Sequence, residues 1–443
     1  MRSWHGLLSA LLSIALLVPA PVHAQAARGT NPLAADVDRL AAELNPQVVA
    51  WRRDFHQNPE LGNREVRTAR VVADELRKLG YTVTTGVATT GVVGVLRGAL
   101  PGPVVALRSD MDALPVTDQG DLPFKSTTKT QWNGQEVGVM HACGHDNHMA
   151  ILLGAAAALA RMKDRLPGTV KVIFQPAEEG LPPGEVGGAE QMVKEGVLDN
   201  PKVDAIFGLH VMPQTVGTVT YRPGPMLASA DSFLITITGK QTHGAAPWGG
   251  IDPIVIGSQV VMGLQTIVSR NVNITEAPAI VTIGRFTGGN RSNIVPETVE
   301  LEGTIRAYSE AVRKSIHDRV RAIATQYAEA AGGTATVEIG RGTTYPVTIN
   351  DPALTERMLP TLRRVAGTDN VRLGPPVGVS EDFSFFQQKV PGQFVFLGAT
   401  PRDQDPTTAP QNHSPLFFAD ESALPLGVRL MTNLALDYLF GGK

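Results

Sequence analysis

Apolar positions along this chain follow two spacings, and the switch between them marks out the fold. Residues 46–57 and 64–79 carry apolar side chains at helical spacing. After them, 91–97 and 104–107 are short β-branched runs that read as strands. Residues 147–161 form an Ala- and Leu-rich helix whose first turn Asp146 or Asn147 would cap. Two further apolar runs, 169–174 and 205–209, read as buried strands. This alternation predicts an α/β fold, a mostly parallel sheet with helices on both faces.

The pattern changes in the middle of the chain. Residues 232–238 read as a strand, and Asp252-Pro253 opens a helix to about Arg270 with proline at its first position. Strands follow at 279–286 and 298–307. Ser309 caps a second helix that stops at Gly332-Gly333, and 334–339 is a last strand. The order βαββαβ is that of a split-βαβ, ferredoxin-like α+β unit. It predicts a domain inserted over 226–343, between a first α/β part at 32–225 and a second at 344–443. The α/β pattern resumes there with a helix at 354–365, a strand at 393–397 and a closing helix at 423–440.

The N-terminus reads as an export signal. Arg2 supplies a positive charge, 7–18 is an apolar stretch, and Val22-His23-Ala24 is a small-x-small cleavage site. The stretch is shorter than the roughly 20 residues that span a bilayer. Residues 1–24 are therefore expected to be removed, leaving a periplasmic or secreted chain with no integral membrane segment. About 420 residues remain, too many for one ordinary domain. A net charge of −3, with no basic block and few aromatics, points away from nucleic acid.

Cys143 is the single cysteine of the chain, so it cannot form an intramolecular disulfide. It lies among His141, His145, Asp146 and His148, a grouping that suits a metal ion. Further candidate ligands recur where predicted strands end, the place at which α/β sheets gather ligands. Residues 104–107 run into Arg108-Ser109-Asp110-Met111-Asp112. Residues 170–174 run into Gln175-Pro176-Ala177-Glu178-Glu179-Gly180, and the strand 205–209 ends at His210. Asn412-His413-Ser414-Pro415 lies in a loop before the last helix.

At these segments the sequence resembles the M20 metallopeptidase family, in particular its amidohydrolase branch. That branch includes hippurate hydrolases, N-acyl-amino-acid amidohydrolases and auxin-conjugate hydrolases. The matching motifs are Arg52-Arg53-Asp54-Phe55-His56-Gln57, Arg108 to Pro115, Met140-His141-Ala142-Cys143-Gly144-His145-Asp146 and Pro176-Ala177-Glu178-Glu179-Gly180. They continue with Gly208-Leu209-His210, His243-Gly244-Ala245, Gly303-Thr304-Ile305-Arg306, Ser380-Glu381-Asp382-Phe383 and His413-Ser414-Pro415, in order from 52 to 415.

The resemblance implies a dinuclear-metal exopeptidase-like catalytic domain with an inserted lid and dimerisation domain. It implies two divalent metal ions per chain, held by Cys143, His145, Glu179, His210 and His413, with Cys143 shared between them. Cys and His favour Zn²⁺, while Mn²⁺, Co²⁺ or Ni²⁺ could occupy a His/carboxylate-rich pair. Asp112 would orient a ligand from behind, and Glu178 would be the general base. In the family the histidine matching His243 reaches the active site of a partner subunit and stabilises the oxyanion, so a homodimer is implied. Asn293 and Arg306 resemble positions that contact the carboxylate or carbonyl of the substrate. Glu381 and Asp382 fit the family pattern, with a structural role expected.

Two positions depart from the family pattern. Trp248 follows Pro247 where histidine is common, and an indole lining the cleft would favour an aromatic or long acyl group. Asn58 stands where many members have histidine, without consequence for catalysis.

The expected function is an exported metal-dependent amidohydrolase that cleaves the amide of an N-acyl amino acid or similar conjugate. A carboxypeptidase or dipeptidase of the same fold is the alternative. A metal-binding protein without catalysis is the rival from another class, and the intact Glu178-Glu179 pair argues against it. A cytidine-deaminase-like site needs a second cysteine in Cys-x-x-Cys and is excluded. Outside the cytoplasm, loss of the metal is expected to expose Cys143 to oxidation.

Overall fold

The computed structural model describes residues 31–182 and 184–441; the expected export signal, 1–24, lies outside them. The larger part is built on an eight-stranded sheet. Its order is Thr82–Val87, Gly91–Arg97, Pro167–Gln175, Leu100–Asp110, Ala205–Thr215, Gly392–Thr400, Val219–Tyr221, Val371–Leu373. The four central strands run parallel. Antiparallel pairings flank them on both sides. The sheet is therefore mostly parallel in its buried middle, as the alternation predicts.

Helix His145–Arg161 is apolar almost all round and is buried along most of its length. It packs against helices Ala34–Gln57 and Leu424–Phe440 in the main core. Gly154 makes the crossing close: a Cβ there would come within 2.8 Å of both Val48 and Val428 side-chain carbons. This buried helix carries His145 at its first position, which gives that side chain a rigid base.

Three local expectations are corrected. The first helix does not begin at Pro46 but at Ala34, and it runs through the proline. Its buried stripe of Val37, Leu40, Ala41, Leu44 and Val48 explains this. Roughly 1.5–3 kcal/mol for each large apolar side chain buried outweighs the approximately 3 kcal/mol that an interior proline costs. The helix expected from 147 starts at His145, and neither Asp146 nor Asn147 caps it. Gly144 takes the N-cap position with φ +92°, because Asp146 Oδ2 is held by Arg52 Nε at 2.9 Å and His56 Nδ1 at 2.8 Å. The strand expected to end at His210 continues to Thr215. Its partner Gly392–Thr400 keeps pairing beyond His210, whereas the pairing with Leu100–Asp110 stops at Gly208. His210 therefore sits where one neighbour has left the sheet, and that gap opens the site.

The inserted unit has the order strand Ala230–Thr238, helix Pro253–Thr266, strands Ala279–Gly288 and Thr298–Ala307, helix Glu310–Ala330, strand Thr334–Tyr345. Its sheet runs Ala279–Gly288, Thr298–Ala307, Ala230–Thr238, Thr334–Tyr345, all antiparallel. Asp252 caps the first helix through Ile254 N at 2.9 Å, and Ser309 caps the second through Val312 N. The core holds Phe233, Ile235, Ile237, Val260, Leu264, Leu301, Ile305 and Val320. The chain enters and leaves this unit at two paired residues, Ala230 and Tyr345.

Candidate metal centre

The candidate ligands arrive from separate elements at one edge of the parallel sheet. Strand Leu100–Asp110 delivers Asp110 and, two residues on, Asp112. Strand Pro167–Gln175 is followed by the loop that carries Glu178 and Glu179. Cys143 precedes the buried helix that begins at His145. His413 adopts φ +72° in its loop, and its N–H donates to Ala142 O at 2.8 Å. Asn412 Nδ2 donates to Cys143 O at 3.0 Å and to Val211 O at 3.3 Å, so the 411–414 loop is tied to both the cysteine and the His210 strand.

The donor atoms fall into two overlapping triads. Cys143, His145 and His210 form one, and Cys143, Glu179 and His413 form the other. Cys143 Sγ lies 3.3 Å from His210 Nε2, and His413 Nε2 lies 3.2 Å from Glu179 Oε1. In each triad the ligand atoms lie within 4.8 Å of one another, so the thiol is common to two candidate ion positions.

Hydrogen bonds decide which imidazole nitrogens are free. His145 Nδ1 bonds to Asp112 O at 2.8 Å and His210 Nδ1 to Val211 O at 2.7 Å. A carbonyl only accepts, so each Nδ1 carries a proton, and in the neutral ring each Nε2 presents a lone pair. His145 Nε2 is buried with no hydrogen-bond partner, as a ligand for a cation would be, and Glu179 Oε1 faces His413 Nε2. His148 differs. Its Nδ1 donates to Asp110 Oδ1 at 2.7 Å and its Nε2 accepts from Val211 N at 2.8 Å. Both nitrogens are spent, so the nearby grouping of Asp110, His145 and His148 is a support and not a third ion position. The soft thiolate, imidazoles and carboxylate fit a pair of divalent transition-type ions.

The site holds more negative than positive charge. Asp110, Asp112, Glu178, Glu179, Glu381 and Asp382 surround a single buried guanidinium. Arg108 reaches Asp110 at 2.8 Å, Glu381 at 2.9 Å and Asp382 at 3.0 Å, and Glu381 and Asp382 thus anchor it from behind. Burial, then Glu381 and Glu179, pushes the Glu178 carboxyl well above the usual range. Burial lowers His145, but Asp110, Asp112 and Glu179 outweigh it and lift the ring to about 10. Burial, then Glu179 and Glu178, pushes the Cys143 thiol well up. A cation would neutralise this field and let the thiol ionise. The same field bears on the expected oxidation of Cys143: burial and the neighbouring carboxylates disfavour its thiolate, the form that reacts.

A cavity of about 410 Å³ opens over these groups, lined by Cys143, Glu178, Glu179, His210 and His413. Arg306 lines it too and donates to Ser380 Oγ at 3.1 Å. Met212, Leu227, Val379 and Phe396 supply apolar wall. A larger cleft of about 880 Å³ between the two parts contains none of the candidate ligands. Asp112 lies behind the ligands, with its Oδ2 on Glu179 N at 2.9 Å. His243, Trp248 and Asn293 are not brought into this cavity. All three are exposed on the inserted unit, Trp248 by 84%. An indole lining the cleft of its own chain is therefore not what the structure shows.

Sequence reasoning missed two residues. Glu65, fully buried, accepts from Ala177 N at 2.8 Å and Thr90 Oγ1 at 2.6 Å. Tyr345 lines the cavity and donates to Glu178 O at 2.6 Å. Neither stands in a motif, and no spacing marks either one.

The model described as peptidase family M20/M25/M40 matches residues 106–437. A Saccharolobus solfataricus protein named thermostable carboxypeptidase 2 is 40% identical over 398 residues, covering 89% of this chain and 96% of its own. An Arabidopsis thaliana protein named IAA-amino acid hydrolase ILR1-like 4 is 41% identical over 396 residues, covering 88% and 86%. The crystal structure of Bacillus subtilis YxeP, described as a dinuclear metal binding peptidase from the M20 family, superposes with a TM-score of 0.73. It is 32% identical and covers 89% of this chain and 98% of its own.

Proposed function

The chain belongs to peptidase family M20/M25/M40, hydrolases of amide bonds, and from that premise we propose an exported, dinuclear amidohydrolase acting on N-acyl amino acids. The observation that carries this reading is the pair of ligand triads sharing Cys143, with Glu178 beside them in the same cavity as Arg306. When bound, two divalent ions, Zn²⁺ or Mn²⁺ before Co²⁺ or Ni²⁺, would polarise the scissile carbonyl and acidify water. Cys143, His145, His210, Glu179 and His413 hold them.

Glu178 takes the proton of the attacking water and hands it to the leaving nitrogen as the C–N bond breaks. Arg306 binds the carboxylate of the amino acid, for which a planar guanidinium suits. The apolar wall of Met212, Leu227, Val379 and Phe396 takes the acyl group. Asp112 fixes the His145 ring and the Glu179 backbone.

His243, Asn293 and Trp248 act on the cavity of a second copy, and the working form is a homodimer through the inserted unit. Two features support this. Strand Ala279–Gly288 is the outer edge of its sheet. The adjoining helix Pro253–Thr266 exposes Val255 and Met262, while Ile280 and Phe286 are exposed on the strand. Export rests on the sequence 1–24. Among the described residues, no helix is long and apolar enough to cross a membrane.

The name of the Saccharolobus relative favours a second reading, a carboxypeptidase, in which Arg306 would hold a peptide C-terminus. A panel of N-acetyl, N-benzoyl and N-indoleacetyl amino acids beside dipeptides and blocked dipeptides tests both. Turnover of acyl amino acids by wild type, lost in Glu178→Gln with the metal retained, is expected. Turnover of peptides alone selects the second reading. No turnover in a protein with two bound ions would sink both.

A further inference from the structure

The peptide group that joins Glu178 to Glu179 is held at both ends. Its carbonyl oxygen accepts from Tyr345 Oη at 2.6 Å, and its N–H donates to Asp112 Oδ2 at 2.9 Å. In a trans peptide these two atoms point in opposite directions. Fixing both fixes rotation of the unit about the axis between the two Cα atoms. The Glu178 and Glu179 side chains leave from those Cα atoms, so the same clamp sets where each carboxylate points.

The loop does not hold this shape by itself. Ala177, just before the pair, has φ +51°, a region that L-residues with a Cβ adopt only where surroundings impose it. Gly180, just after, has φ +114°. The restraint on one side is local to the catalytic part, through Asp112 and through Glu65 on Ala177 N. The restraint on the other side comes from elsewhere in the fold. Tyr345 is the last residue of strand Thr334–Tyr345 and pairs with Ala230, so its backbone lies where the inserted unit joins the catalytic part. Its ring packs edge-on against Phe385, with centroids 6.2 Å apart, and it also lines the cavity.

We propose that Tyr345 is a positioning residue. Its hydroxyl sets the plane of the Glu178–Glu179 peptide, and so aims a metal-ligating and a proton-carrying carboxylate from the seat of the inserted unit. The role rests on the amidohydrolase reading for Glu178 and on the metal-ligand assignment for Glu179.

Tyr345→Phe removes only the hydroxyl and keeps the ring against Phe385; Tyr345→Ala removes both and reports the packing contribution. Metal affinity of the full chain is read by competition between Zn²⁺ and a chelating dye, with no substrate present. Tyr345→Phe is expected to weaken Zn²⁺ binding about tenfold, the size found when a group supporting a metal ligand is removed. On the preferred acyl amino acid, kcat is expected to fall about tenfold with KM changed less than twofold, and the melting temperature to stay at the wild-type value. A tenfold change in either readout at unchanged melting temperature supports the clamp. No change in either overturns it, and so does a loss that comes with the same fall in melting temperature as Tyr345→Ala. If wild type turns over nothing in the panel, the amidohydrolase reading fails, and the Zn²⁺ measurement still decides on Tyr345.

Discussion

Cys143 Sγ lies 3.3 Å from His210 Nε2, yet the two side chains are unequal partners, because the thiol belongs to both triads and the imidazole to one. Removing them should have different consequences. His210→Ala is expected to leave one tightly bound ion per chain, and Cys143→Ala to weaken both. Elemental analysis after dialysis against a weak chelator measures this directly. Equal loss in the two variants would show that the thiol is not shared.

Cys143 also predicts how the protein behaves once its metal is removed. An ordinary cysteine titrates near 8.5; burial and the neighbouring Glu179 and Glu178 push this one well up. At pH 7.5 the thiol of the metal-stripped, folded protein should therefore stay protonated. Iodoacetamide is expected to label it at least about tenfold more slowly than the urea-unfolded chain, since the thiolate is the reactive form. Labelling of the folded, stripped protein at the unfolded rate would contradict the charge pattern described for the site.

What the sequence made legible and what it hid follow the range of the interactions involved. Strands 91–97 and 298–307 match their predicted bounds, because turn residues punctuate them locally. The five candidate ligands stand in short motifs, whether the structure puts them near an element's end, as with Cys143, His145 and Glu179, inside a strand, as with His210, or in a loop, as with His413. The ends of elements set by distant partners were not legible. His210 lies inside its strand because Gly392–Thr400 continues alongside. Pro46 lies inside its helix because an apolar stripe carries the helix past it. Tyr345 and Glu65 were invisible for the same reason: their bonds to the catalytic loop span 167 and 112 positions. Trp248 shows the opposite failure, a local motif position whose surroundings belong to another surface.

Asp231 governs the acid stability of the inserted unit. Its buried carboxylate accepts from Arg313 at 2.7 and 2.8 Å, from Thr344 Oγ1 at 2.8 Å, and faces His317 Nε2 at 3.0 Å. Burial raises its pKa, but Arg313 and His317 outweigh this and hold the carboxyl well below the usual range. A depressed folded-state value means the stabilisation is complete above the unfolded value near 3.9 and is lost as pH falls below it. Asp231→Asn should cost about 3 kcal/mol at pH 7, since it leaves Arg313 short of a partner. The gap between variant and wild type should narrow below about pH 4. Urea melts at pH 7 and pH 3.5 test the sign; a gap that widens in acid would refute it.

His243 and the cavity it is proposed to serve lie on different surfaces of one chain, so activity should depend on assembly and not only on the ligands. Met262 is 71% exposed and Ile280 52%, on the helix and edge strand that would meet a second copy. A charge placed in an apolar interface is costly to bury, and edge strands are blunted by charge. Met262→Asp with Ile280→Asp is expected to halve the mass seen by light scattering while two ions per chain remain. With His243 of the second copy removed from the site, kcat should fall about a hundredfold, the effect of losing one oxyanion donor. His243→Ala should reproduce that fall in a protein that is still dimeric. Mixing His243→Ala with Glu178→Gln should restore part of the activity, because one of the two shared sites then has an intact set. Full activity in the monomeric variant, or no recovery on mixing, would mean that each chain works alone and that His243 has another role.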